Sequence, residues 1–115
     1  MLETKDITLS QSEKKEILNR YRGLLRVSKG TREDGDGKII RKAFELAVSA
    51  HKDMRRKSGE PYIYHPIAVA RIAAEEVGLG TTSIVCALLH DVVEDTDIEL
   101  DYIQAEFGEK VANII

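Results

Sequence analysis

The chain has 115 residues, enough for one small domain or part of a larger one. With 43% hydrophobic and 32% charged residues and a formal net charge of −3, it carries no basic excess that would suit nucleic acid or a membrane surface. It contains neither an apolar run near the roughly 20 residues of a membrane span nor a signal-peptide core, so a cytoplasmic protein is expected.

Periodicity is helical along the whole chain, and the expected class is all-α. Ile17, Leu18, Tyr21, Leu24 and Leu25 recur at the three- and four-residue spacing of a first helix. GTREDGDG, residues 30–37, is a loop by its glycines and charges. A second helix is expected from about Lys38 to Arg56, with Phe44, Ala47, Ala50 and Met54 on one face, before KSGEP breaks it. Pro66 suits the first position of a third helix, where its missing N–H costs nothing. That helix would carry Ile67, Ala70, Ala73, Ala74 and Val77 and end at Gly78. Thr81 or Thr82 can cap a fourth helix, SIVCALLHDVV, which is apolar on nearly every side and so belongs in the middle of a domain. Leu100, Ile103 and Phe107 outline a fifth helix ending near Gly108, and EKVANII starts a sixth. The organisation expected is an N-terminal helix and loop over 1–37 and a helical domain from 38 to 115. The terminal apolar turn with Val111, Ile114 and Ile115 suggests a native chain that continues, with an apolar edge through which two copies could associate. The one cysteine, Cys86, lies in an apolar run and reads as core, which excludes an internal disulfide.

The chemistry concentrates at the end of the fourth helix, in His90, Asp91, Glu94, Asp95 and Asp97. Acids at a helix C-terminus face the negative end of its dipole, at about 0.3–1 kcal/mol each. No Lys or Arg stands between His90 and Asp101 to offset them, so a divalent metal is the economical source of positive charge. His90 and Glu94 share one face, and Asp91 and Asp95 a second, turned by about 100°. Adjacent His90 and Asp91 can reach one ion, with Glu94 and Asp95 beside a water that needs a base or an orienting group. Against this stands a solvated acidic helix end with a partly buried histidine, since a bare His-Asp dipeptide recurs by chance.

Upstream, His65 offers a ligand from a separate element at the start of the third helix, outside regular helical geometry; it could equally cap that helix. Two imidazoles and a carboxylate suit manganese, iron or zinc better than calcium. Arg55, Arg56 and Lys57 followed by Ser58 and Gly59 could hold a phosphorylated ligand, or could be solvated cations at a helix end. Tyr62 and Tyr64 read as core or pocket wall, with core favoured, and His51 as structural.

These residues resemble a known family. AHKDMRRKSGEPYIYHPIAVA, ALLHDVVEDTD and EFGEKVANII are similar to the N-terminal domain of RelA/SpoT-type enzymes, which make and degrade guanosine tetra- and pentaphosphate in the bacterial stringent response. The resemblance runs from about Lys14 to the last residue. It implies an HD-type helical bundle that removes the 3′-pyrophosphate of the alarmone with a manganese ion. It places His65, His90 and Asp91 as metal ligands and Glu94 and Asp95 as the acidic pair at the attacking water. Arg56, Lys57 and Ser58 would contact the guanine nucleotide. The family's fourth ligand, an aspartate followed by an asparagine and a threonine at the nucleotide, would lie downstream of Ile115. Synthetase-only members have lost the His-Asp and Glu-Asp pairs, and both are present in this chain. A hydrolase-competent parent is therefore implied, with GTP pyrophosphokinase activity if it is the long bifunctional type. Two other readings remain open: a non-catalytic helical module, and an HD phosphohydrolase acting on another nucleotide.

Overall fold

The computed structural model describes residues 9–76 and 80–115. Among them the chain forms six α-helices, one 3-10 turn and no strand beyond an isolated bridge. The expected all-α class is what the chain adopts. No helix among the described residues is long and apolar enough to cross a membrane.

Helix α1, Gln11–Val27, starts at a capping box. The Ser10 hydroxyl accepts from the Glu13 amide at 3.1 Å, and the Glu13 carboxylate accepts from the Ser10 amide at 2.9 Å. Ile17, Tyr21 and Leu24 are buried, whereas Leu18 lies on the open side. Arg32 folds back to donate to the Leu25 carbonyl at 3.0 Å, placing a cation at the negative end of α1. Helix α2 is Asp36–Ala50, and Tyr21 of α1 stacks on its Phe44 with ring centroids 4.0 Å apart.

The end of α2 departs from the expected helix to Arg56. The chain leaves helical geometry at His51 and enters a short hairpin, in which Tyr62 donates its amide to the Met54 carbonyl at 2.9 Å and Arg55 bridges Pro61. Met54 is thereby drawn off the helix. Its spacing from Ala50 looks helical, but its sulfur lies against His51 Nδ1 at 3.3 Å.

Helix α3, Tyr64–Glu76, begins two residues before Pro66. Proline is tolerated there because the first four amides of a helix have no intrahelical partner in any case. His65 therefore sits within the first helical turn, not ahead of it. The expected positions of Val77 and Gly78 lie outside the described residues. Helix α4, Thr81–Asp95, has Gly80 at its N-cap and no side-chain cap, so neither Thr81 nor Thr82 fills that role. The Thr81 hydroxyl instead donates to Asp36 at 2.9 Å, tying the start of α4 to the start of α2.

All-round apolarity places α4 at the centre, as expected. Ile84, Val85, Cys86, Leu88, Leu89 and Val92 are all buried, against α3 on one side and α2 on the other. Helix α5, Leu100–Phe107, and helix α6, Glu109–Ile114, meet at Gly108, whose φ of 97° is open to glycine at little cost. Val111 and Ala112 pack inward, while Ile114 is exposed. Helix α1 packs chiefly on α3, and its buried residues join the same core cluster as those of α4.

Candidate functional site

The C-terminal turns of α4 lift His90, Asp91, Glu94 and Asp95 out of the core. Leu88, Leu89 and Val92 point inward, so the residues between them must face out. His90, Glu94 and Asp95 are exposed, and Asp91 is held closer in, with 16% of its side chain accessible.

Asp91 is the junction of the site. His90 Nδ1 lies 3.1 Å from its Oδ1. His65 Nε2, from α3, lies 3.7 Å from its Oδ2. The Tyr62 hydroxyl donates to the same Oδ2 at 2.7 Å and also reaches Asp95 Oδ2 at 3.4 Å. Burial alone would raise the Asp91 pKa, but the Tyr62 hydroxyl and the two histidines outweigh it and hold the carboxyl below its ordinary value. Burial and the same carboxylates push the Tyr62 phenol far up, so it remains an O–H donor. Among the described residues, the ion-pair contacts of Asp91 come from the two histidines alone.

The donor set suits a first-row divalent ion, with two imidazole nitrogens, a carboxylate held ionised and, among the described residues, no lysine or arginine paired to it. In the neutral tautomer that donates from His90 Nδ1, the Nε2 lone pair is free for a ligand. The residues are gathered as pairs around Asp91, however. No three His, Cys, Asp or Glu side chains among the described residues stand closed around one point.

The basic segment is not the helix end that the sequence suggested. Arg56 donates its amide to the Glu60 carbonyl at 3.0 Å, and Gly59 donates to the Arg56 carbonyl at 2.8 Å. Lys57, Ser58 and Gly59 thus form a three-residue hairpin loop, with Gly59 at φ 95° in the position that needs positive φ. Arg56, Lys57 and Ser58 are exposed on this loop. Arg55 points the other way, to both Glu13 oxygens and the Gly59 carbonyl. It is a strut of the loop, and its guanidinium holds the Glu13 carboxyl down at about 2.

One residue joins the site that the sequence left open between core and pocket wall, with core favoured. Tyr62 touches Asp91, Asp95 and His65, the last with ring centroids 5.8 Å apart. Its own ring rests on His51, at 4.8 Å. His51 is 1% exposed, and burial pushes its pKa down against the pull of Asp91 and Asp95. Its Nε2 has no hydrogen-bond partner among the described residues. Tyr64, the other tyrosine of the segment, lies under the Arg20 guanidinium, 3.9 Å from ring centroid to carbon, away from these groups.

The HD-domain family pattern matches residues 43–115. The chain is 48% identical over 77 residues to a probable GTP pyrophosphokinase of Mycobacterium leprae, covering 67% of this chain and 10% of that protein. It is 45% identical over 76 residues to a guanosine-3′,5′-bis(diphosphate) 3′-pyrophosphohydrolase of Aquifex aeolicus, covering 66% of this chain and 11% of that one. A protein of the same named activity from Xenopus tropicalis is 45% identical over 83 residues, 70% of this chain and 46% of its own length. The chain spans about a tenth of the length of the first two relatives.

Proposed function

Because the chain belongs to the HD-domain family and is similar to its RelA/SpoT-type members, we propose that it forms part of a divalent-metal-dependent hydrolase of guanosine tetra- and pentaphosphate. The reaction is removal of the 3′-pyrophosphate, leaving GDP or GTP. The observation that supports it most is the junction at Asp91, which draws His65 from α3 and His90 from its own helix to opposite oxygens of one carboxylate.

In this reading His65, His90 and Asp91 hold the ion, and manganese is the metal assigned. When bound, it supplies Lewis acidity and positive charge against the diphosphate. Glu94 and Asp95, one turn beyond the ligands, orient the attacking water and take its proton. Arg56, Lys57 and Ser58 hold the guanine nucleotide from the hairpin. Arg56 offers a planar fork to phosphate or a base face, and Lys57 a point charge. In this reading residues 38–115 belong to the hydrolase part, and residues 1–37, which include α1, precede it. The parent is placed in the cytoplasm, with GTP pyrophosphokinase as its second activity.

The test is pyrophosphate release from ppGpp, with and without manganese, by the protein that carries these residues. Manganese-dependent release that is lost in a His90→Ala/Asp91→Ala double variant is expected. A double variant as fast as wild type would remove the site from the mechanism.

A second reading has one observation in its favour, the absence of a closed three-donor cage among the described residues. In it, these residues form a non-catalytic helical module that binds nucleotide weakly. Manganese titration separates the two, because binding tighter than micromolar requires preformed ligands. Competition between ppGpp and deoxynucleoside triphosphates separates both from an HD phosphohydrolase of other specificity.

A further inference from the structure

Tyr62 occupies a place that neither a core residue nor a nucleotide contact explains. It stands in the turn between the basic hairpin and α3, flanked by Pro61 and Ile63, both buried. Its backbone is tied in both directions: its amide donates to the Met54 carbonyl at 2.9 Å, and its carbonyl accepts from the His65 amide at 2.9 Å. Its ring is backed by the buried His51, whose own Nδ1 lies against Met54. A phenol fixed in this way has little freedom at χ1, so its hydroxyl position is set by the fold. That hydroxyl is 2.7 Å from Asp91 Oδ2, while the ring meets His65 edge-on at an interplanar angle of 61°.

We propose that Tyr62 is a positioning residue of the metal site, fixing the Asp91 carboxylate through its hydroxyl and the His65 imidazole through its ring. This rests on the reading of His65, His90 and Asp91 as metal ligands. A carboxylate on a helix end swings freely about its terminal torsion unless a second group holds one oxygen. His90, from the same helix, meets Oδ1, and Tyr62 holds Oδ2 from outside both helices that bear a ligand. One side chain thereby sets ligands of α3 and α4 relative to each other. Groups that hydrogen-bond metal ligands from behind typically change affinity by about 10–100-fold when removed. The contact to Asp95 at 3.4 Å extends the same control to the acidic pair.

Tyr62→Phe isolates the hydroxyl, because the ring and its packing on His51 and His65 stay. Manganese affinity is measured by electron paramagnetic resonance titration, and folding of the metal-free protein by thermal melting. His90→Ala and Asp91→Ala are run beside it. The expected result is manganese binding about tenfold weaker in Tyr62→Phe, with the metal-free melting temperature close to wild type. Tyr62→Leu, which removes the ring as well, should weaken binding further. Wild-type affinity in Tyr62→Phe would overturn the proposal and leave the metal site standing. So would a loss of affinity accompanied by an equally large loss of metal-free stability, since the residue would then be structural only. A wild type that binds no manganese, or His90→Ala and Asp91→Ala variants that bind it normally, would overturn the ligand assignment and this proposal with it.

Discussion

Arg55 grips both carboxylate oxygens of Glu13, at 2.7 and 2.8 Å, across 42 residues of sequence. The same guanidinium donates to the Gly59 carbonyl at 2.8 Å. The first turn of α1 is thus coupled directly to the loop that presents Arg56, Lys57 and Ser58. Lysine keeps the charge but lacks the fork that engages two oxygens at once. Arg55→Lys is therefore expected to loosen the hairpin, seen as faster hydrogen exchange at the Gly59 and Tyr62 amides. Exchange in the core of α4 should not change.

The Glu13–Arg55 pair also sets an acid limit. The Glu13 carboxyl sits at about 2 in the folded chain, chiefly because of the Arg55 hydrogen bonds, against an ordinary value of 4.5. Between these values the unfolded chain binds more protons than the folded one, so stability rises with pH there. The contribution is fully present above about 4.5 and is lost as pH falls towards about 2. In denaturant titrations across this window, Glu13→Gln should lose that part of the pH dependence. Wild type and variant should converge at the acid end.

Gly59 has φ 95°, and a Cβ built there meets no atom within 4 Å. Substitution is opposed by backbone conformation alone. Gly59→Ala should cost about 1–2 kcal/mol, read from urea unfolding. Gly59→Asn should recover part of it, because asparagine tolerates positive φ better. Equal losses in the two variants would mean that steric crowding, not φ, is responsible.

Leu88 is fully buried on α4, two residues before His90. Leu88→Ala should cost about 2–5 kcal/mol through lost burial and a residual cavity. A small domain has only about 5–15 kcal/mol in total, so the variant should melt far lower. Under the proposed function, any loss of manganese binding in it should track the unfolded fraction.

What the sequence made legible follows from the range of each signal. The central place of α4 was readable because burial on every side leaves no polar stripe. The break at Gly108 was readable because it ends one apolar rhythm and opens another. The acidic end of α4 was conspicuous because nothing nearby in the chain balances its charge. The hairpin was not readable, since a single bridge between Arg55 and Pro61 is too short to produce strand alternation. Met54 kept a helical spacing that the hairpin overrides. Tyr62 was hidden for a different reason. Its partner, Asp91, lies 29 residues away, and an aromatic residue beside Pro61 and Ile63 has the composition of core. The Glu13–Arg55 pair is longer in range still, and each half has a sufficient local explanation, as a capping-box acid and a loop cation.

The helices interleave, with α1 on α3 and α2 on α4, while α3 and α4 join the two sets. This has a consequence for how the chain assembles as it leaves the ribosome. Among the described helices α1 emerges first, yet its main docking surface appears only after Tyr64–Glu76 has been made, and Arg55, its anchor at the other end, comes late as well. Tyr21 can stack on Phe44 once α2 is made, but full burial of the stripe it forms with Ile17 and Leu24 waits for α3, through roughly fifty residues of synthesis, a few seconds at elongation rates of about 5–20 residues per second. The capping box at Ser10 can hold the first turn together in that interval, but a single helix of this length is marginal in water. Helix α1 is thus the part of the fold most dependent on the timely arrival of its partner.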